Sequence, residues 1–156
     1  MRGKAAPKRK IQPDVKYKNL SVSKFINYVM EGGKKNVARS IMYGAMDYIK
    51  EKTKKDPIEV FERAMKNVGP SMEVRGRRIG GANYQVPVQV RNERKFILAS
   101  RWILEVARGK SGKPMSEKLA QEFLVASENE GDAIRKKDNV HKMAESNRAF
   151  AHFAKF

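Results

Sequence analysis

SMEVRGRRIGGANYQVPVQVRNER, residues 71–94, is where the periodicity of the chain changes. On either side apolar residues recur every three or four positions, whereas here they alternate every second position, the period of a β-strand. By that alternation Met72, Val74, Tyr84, Val86, Val88 and Val90 fall on one face, and Glu73, Arg75, Arg77, Gln85 and Gln89 on the other. Gly80-Gly81-Ala82-Asn83 supplies the turn, since glycine and asparagine accept the positive φ of a tight hairpin. Pro87 has no N–H to offer a ladder, so its strand needs a free edge, which a two-stranded ribbon has and a central strand lacks. The stretch is therefore expected to be a β-hairpin over about residues 72–90. Its valines anchor it to the rest of the molecule, and its arginines, with Arg78, are left for a negative partner. Such a ribbon is marginal alone in water.

Working outward, the sequence predicts six helices. The first has Ser21 as cap and Val22, Phe25, Ile26, Val29 and Met30 as its buried stripe, and Gly32-Gly33 stops it. Lys34 and Lys35 open a second, with Val37, Ala38, Ile41, Ala45, Tyr48 and Ile49 on its apolar side. Asp56-Pro57-Ile58-Glu59 starts a third in the manner of a capping box; Ile58, Phe61, Ala64, Met65 and Val68 point inward, and Gly69-Pro70 ends it with a left-handed residue. After the hairpin, Asn92 caps a fourth, expected to be the central helix, with Leu98, Ala99, Trp102, Ile103 and Val106 apolar. Met115-Ser116 opens a fifth around Leu119, Ala120, Phe123 and Leu124, running to about Glu130-Gly131. Asp132 or Asp138 caps a sixth, in which Ile134, Val140, Met143 and Ala144 are apolar and Arg135, Lys136 and Lys137 exposed. The fold class is thus mainly α: a six-helix single domain over 21–146, a protruding two-stranded hairpin, a basic N-terminal arm over 1–20 and an aromatic and basic tail over 147–156.

Charge narrows the function. Thirty-four Lys and Arg face 17 Asp and Glu among 156 residues, a net charge of +17. Self-repulsion on that scale is relieved by a polyanion, nucleic acid first and an anionic membrane surface second. No apolar run reaches the 18 or more residues of a membrane span, the basic start MRGKAAPKRK has no apolar segment behind it, and cysteine is absent. The expectation is a soluble protein of a reducing cytosol.

The cations are not scattered evenly. Lys8, Arg9 and Lys10 lie in an arm whose lone acid is Asp14; the arm is either solvated and disordered or ordered by a partner. Lys34 and Lys35 stand at a helix N-terminus, where cations oppose the helix dipole and free N–H groups suit an anion, so Gly33, Lys34 and Lys35 are candidates for a phosphate. Arg94, Arg101 and Arg108 recur every seven residues, drift only about 20° per step around the fourth helix and form a stripe with Arg91 nearby. That stripe is a solvated face or a phosphate-binding one, and its arginines favour the second. Gly109-Lys110-Ser111-Gly112-Lys113-Pro114 imitates a phosphate-binding loop, but it follows a helix and lacks the partner glycine, so only a basic hinged loop remains, with Lys110 and Lys113 as contacts. In the tail, Arg148, Phe150, His152 and Phe153 interleave charge and rings, which suits stacking on single-stranded nucleic acid; equally, Phe150 and Phe153 can pack a helix end.

Catalysis finds nothing to use. His141 and His152 are the only histidines, with no cysteine and no metal-spaced carboxylates, and no nucleophile, base and oxyanion donor come together. An enzyme, a metal site, a cofactor and a small-molecule substrate are not expected.

Four ordered motifs carry a resemblance: Gly32-Gly33-Lys34-Lys35-Asn36; the run from Met72-Glu73-Val74-Arg75 through Arg77-Arg78-Ile79-Gly80-Gly81-Ala82-Asn83-Tyr84-Gln85-Val86-Pro87; Arg101-Trp102; and Met143-Ala144-Glu145 with Asn147-Arg148-Ala149-Phe150-Ala151-His152. Over nearly its whole length the chain resembles the small-subunit ribosomal protein seven family in its bacterial form. That resemblance implies a helical core with a protruding β-ribbon and a primary binder of 16S rRNA that nucleates assembly of the subunit head. It implies a place near the decoding centre, the mRNA exit and the E-site tRNA, with small-subunit proteins nine and eleven as neighbours. The rRNA role then goes to Lys8, Arg9, Lys10, Lys34, Lys35, Arg75, Arg77, Arg78, Arg91, Arg94, Arg101, Arg108, Lys110 and Lys113, and proximity to mRNA and tRNA to Gly80, Gly81, Arg148, Phe150 and His152. A DNA-binding architectural or nucleoid protein is the competing reading.

Overall fold

In the computed structural model, which describes residues 3, 6–7 and 9–155, the chain forms six α-helices, one hairpin and a terminal 3-10 helix. The helices are α1 Leu20–Val29, α2 Lys35–Thr53, α3 Pro57–Val68, α4 Asn92–Gly109, α5 Met115–Ser127 and α6 Asp132–Ser146; the strands are β1 Met72–Ile79 and β2 Ala82–Gln89; the 3-10 helix is Arg148–Lys155.

The core lies where α1, α3 and α5 converge. Phe25, Phe61 and Phe123, one from each, are fully buried with ring centroids 5.3 to 5.5 Å apart, the edge-on and tilted distances aromatic quadrupoles favour. Helix α5 packs on α2, α3, α4 and α6 and helix α4 on α1, α3, α5 and α6, so α4 is central as expected but shares that place with α5. At Gly44 on α2 a Cβ would stand 3.1 Å from the Ser116 Cβ of α5, which is why this crossing takes a glycine inside a helix.

Local signals mostly set the helix limits, with instructive departures. Asn19 and not Ser21 caps α1; its side chain accepts from the Ser21 N–H at 2.7 Å and the Val22 N–H at 3.3 Å. Asp56 caps α3 with Pro57 at the first position, as the sequence predicts, but Gly69 ends it at φ −63°, an ordinary extended residue and not a left-handed one. Asn92 is the first residue of α4 instead of its cap, and Gly131, at φ 92°, precedes α6 where an aspartate was expected. The buried side of α2 is Ala38, Met42, Ala45, Met46 and Ile49, while Val37 is exposed, so the buried face is rotated from the expected one toward Met42 and Met46.

The arm is partly built into the fold. Its lone acid, Asp14, is buried; it accepts the backbone N–H groups of Lys16 and Tyr17 at 3.1 and 3.2 Å and the Tyr43 hydroxyl of α2 at 2.9 Å. Lys16 reaches Asp47 of α2 at 2.9 Å, which holds its ammonium above the ordinary lysine value. Residues 14–18 are thereby tied to α2.

The hairpin turns on Gly80 and Gly81 alone, at φ 56° and 88°, the pair of positive values a two-residue type I′ turn requires. Ile79 pairs with Ala82, and the ladder runs to Met72 opposite Gln89. Since the loop holds an even number of residues, even positions of β1 oppose odd positions of β2. The expected faces are corrected accordingly: Glu73, Arg75 and Arg77 share a face with Val88, Val86 and Tyr84, and Met72, Val74 and Arg78 share the other with Gln89, Pro87 and Asn83. What segregates is length. At the base Glu73, Val86, Pro87 and Val90 are buried against the body; toward the tip Arg75, Gly76, Arg78 and Gly80 to Asn83 are exposed. Helix α6 packs on both strands at the base, and the Ser71 N–H donates to Nε2 of His141 at 3.1 Å, which fixes where β1 leaves the body.

Candidate nucleic-acid interface

Glu73 organises the first cluster. Its carboxylate is buried at the ribbon base, where Oε1 accepts from Nε of Arg75 at 2.7 Å and from a second Arg75 nitrogen, and Oε2 accepts from Nε of Arg94 at 3.2 Å. Burial pushes this carboxyl up, and the hydrogen bonds and charges of Arg75 and Arg94 together outweigh that, leaving it below the ordinary carboxylate value. One acid thus aligns two guanidinium groups from two elements, each still with N–H groups turned to solvent. Sequence reading placed Glu73 on a face and missed this role; the signal was an acid two residues before an RGRR run.

Beyond that cluster, Arg78, Arg91 and Arg101 are exposed and Arg77 half-exposed, and none has a carboxylate within ion-pair distance among the described residues. The stripe on α4 divides: Arg94 serves Glu73, Arg101 is free, and Arg108 pairs with Glu31 at 2.7 Å and donates to the Val29 carbonyl at 3.4 Å.

Lys34 and Lys35 part company. Lys34 lines a groove with Arg108, Glu31, Val37, Ile41 and Met115; Lys35 lines a different pocket with Arg9, Lys10 and Arg39. The Lys34 and Lys35 N–H groups donate to the Glu31 and Gly33 carbonyls at 3.0 and 2.8 Å, so these two are not free for an anion. Lys8 lies outside the described residues. Arg39 was not singled out in the sequence, where it is one cation among 34.

The basic loop is largely self-neutralised. Lys110 Nζ lies 2.6 Å from Oε2 of Glu122, a carboxylate on α5 that is 1% exposed. Lys113 pairs with Glu117 at 2.9 Å, one turn along α5, and its ammonium is held above its ordinary value by that bond. Likewise Lys137, expected to be exposed, is turned in, donating to the Asn67 carbonyl at 3.0 Å and to Asn129 at 3.4 Å.

Tip and tail are brought together. Tyr84, opposite Arg77, packs on Phe150 at 5.3 Å and Phe153 at 5.0 Å, so both tail rings are engaged with the ribbon. His152 and Arg148 remain exposed; the His152 Nδ1–H donates to the Ala149 carbonyl at 3.0 Å, and Arg148 lies 3.4 Å from Glu145. Gly80 and Gly81 stand in open space at the far end.

What this surface can do chemically is bind polyanion. Among the described residues no three His, Asp or Glu side chains gather as a metal site, and no helix is long and apolar enough to cross a membrane.

Comparison with known proteins agrees. Residues 1–148 match the model of the family described as ribosomal protein S7p/S5e. The chain belongs to that family. It is 56% identical over 153 residues to small ribosomal subunit protein uS7 of Thermotoga maritima, covering 98% of this chain and 99% of the relative. It is 57% identical over 152 residues to the uS7 protein of Dechloromonas aromatica, and 54% identical over 152 residues to that of Nitrosomonas europaea, in both cases over 97% of each chain. Membership of the S7p/S5e family makes this a non-enzymatic, structural protein of the small ribosomal subunit, working in translation and in contact with RNA.

Proposed function

We propose that the chain is a primary binder of 16S rRNA that nucleates assembly of the small-subunit head, and that its ribbon tip and tail lie beside mRNA and E-site tRNA. The observation that carries this is the distribution of unpaired charge. Among the described residues, cations with nearby acids are mostly consumed in holding the fold, as at Lys110, Lys113 and Arg108, while Arg77, Arg78, Arg91 and Arg101 extend from the ribbon onto α4 without a carboxylate. The Glu73 clamp holds Arg75 and Arg94 between them.

Binding proceeds by charge and then by shape. The arginines neutralise phosphates and release counterions, and the ribbon with its flanking helices fits a folded RNA junction. A protein that binds only the folded junction raises its population by mass action, and later proteins then find it formed. Small-subunit proteins nine and eleven are the neighbours we assign to the remaining surface. The test is chemical footprinting of the chain on the 16S head domain. Protection confined to one junction, lost when Arg77 and Arg78 are both replaced by Ala, supports the reading; diffuse protection that survives the change refutes it.

A further inference from the structure

We infer that His141 is a protonation-controlled tether for the root of the β-ribbon: the neutral imidazole holds the backbone of Ser71, and the imidazolium releases it. The direction of the contact fixes the state of the ring. The Ser71 N–H donates to Nε2 at 3.1 Å, and only a ring nitrogen without a hydrogen can accept, so the bond requires a neutral His141 with its proton on Nδ1. Among the described residues, Ser71 and His141 make the only hydrogen-bonded contact between α6 and the ribbon or its root, although α6 packs on both strands. Ser71 is the residue through which such a tether acts. Its carbonyl takes the Val90 N–H at 3.0 Å, closing the ribbon ladder, while its own N–H reaches α6. Pro70 before it has no N–H, so the tether cannot pass to that neighbour. The root sets the direction in which the ribbon carries Arg77 and Arg78.

Protonation replaces the acceptor by a donor. The charged ring carries hydrogen on both nitrogens, the Ser71 N–H loses its partner, and Nε2–H turns to the Ser71 Oγ, 3.4 Å away. The contact then runs through a side chain that rotates and no longer through the backbone. Ser71 is exposed, so water takes up the freed N–H and the change stays local. Histidine is the side chain whose ordinary titration falls between about pH 5 and 8. The charged groups around this ring are paired. Glu145, one turn on along α6, and Arg148 of the 3-10 helix line the same pocket of about 390 Å³ and lie 3.4 Å from each other. Lys137, one turn back, donates to the Asn67 carbonyl of α3. The strands contribute Met72 and Pro87 to the pocket, and the acid of the ribbon base, Glu73, is bonded to Arg75 and Arg94. On the α4 side Lys95 packs beside Gly69, two residues before Ser71. Among the described residues the Ser71 N–H has no acceptor but His141.

The experiment is nuclear magnetic resonance on the free full chain at about pH 8 and about pH 5, the two ends of the histidine range; it needs no RNA. Wild type is compared with His141→Gln and His152→Gln. At the higher pH the His141 ring carries its proton on Nδ1; a ring protonated on Nε2 instead overturns the inference. At the lower pH amide exchange at Ser71, corrected for its intrinsic dependence on pH, speeds up roughly fivefold, while α1, α3 and α5 keep their protection. The Ser71 amide shifts with the same midpoint as the His141 imidazole. His152→Gln keeps the effect, and His141→Gln loses it, because a carboxamide oxygen accepts at every pH in this range. Unchanged exchange at Ser71, a change that survives in His141→Gln, or one that spreads to α1, α3 and α5 overturns the inference. Should His141→Gln not fold, wild type decides alone: Ser71 and the His141 imidazole titrating at different midpoints overturns it.

Discussion

Glu73 shows how a single acid can serve a basic surface. Replacing it with Gln removes the charge that holds Arg75 and Arg94, and the expected cost is about 1–2 kcal/mol, the lower part of the range for charge-assisted bonds because both guanidinium groups are partly solvated. Its carboxyl lies below its ordinary value in the folded chain, so it binds protons more weakly folded than unfolded. The stability it contributes is complete above the ordinary carboxylate value of about 4.5 and is lost as pH falls through the lowered folded value. Denaturant melts from pH 7 down to 3 should therefore show a shallower acid slope for Glu73→Gln than for wild type; parallel slopes would show that the clamp is not formed. Lys110 is the opposite kind of residue, a cation whose sequence context suggests RNA and whose contact is structural. Lys110→Ala leaves Glu122 buried without a counter-charge and is expected to destabilise by about 2 kcal/mol, less than the 3–5 of fully buried pairs because its own ammonium meets solvent. Loss of RNA affinity with unchanged stability would contradict that assignment. Neither role was legible from sequence: both depend on which acid lies next to which cation across elements, and a composition of 34 cations hides the few that are committed.

At the scale of elements, the hairpin was legible because period, turn residues and proline all agree on it, and the assignment of its faces was not. Parity along each strand can be read from sequence; the phase between strands depends on how many residues the turn consumes, and Gly80-Gly81 consumes two. The contacts of the three ribbon arginines decide which substitutions are informative. A triple replacement of Arg75, Arg77 and Arg78 mixes a residue bonded to buried Glu73 with two that are unpaired. Arg77→Ala with Arg78→Ala is the cleaner probe: RNA affinity should fall with a salt slope lower by about 2 and the melting temperature unchanged, whereas Arg75→Ala should lower both. The tail belongs to the ribbon, since the 3-10 helix packs on β2 and α6. Tyr84→Ala should release it at a cost of about 0.5–1.5 kcal/mol per lost aromatic pair and speed amide exchange in Ala151 to Phe153 and across β2, leaving α1, α3 and α5 protected. Unchanged exchange would mean the rings do not clamp.

For the whole molecule, the sequence established the helical class and six of its elements because apolar stripes at 3.6-residue spacing leave few alternatives. That α5 shares the centre with α4 was not legible, since periodicity says which face a helix buries and nothing about how many neighbours bury it. The charge of +17 is the property the fold must live with: some cations are paired with acids, and among those left without a carboxylate are Arg77, Arg78, Arg91 and Arg101 of the ribbon and α4. On the reading proposed above, the ribbon and α4 arginines are arranged for one folded RNA and are not a general polyanion surface. Competition binding at fixed moderate salt, with 16S head-domain RNA labelled and duplex DNA of equal length as competitor, tests it most directly. Displacement only at a large excess of duplex DNA, on the order of a thousandfold or more, is the predicted result; displacement at comparable concentrations would contradict the account.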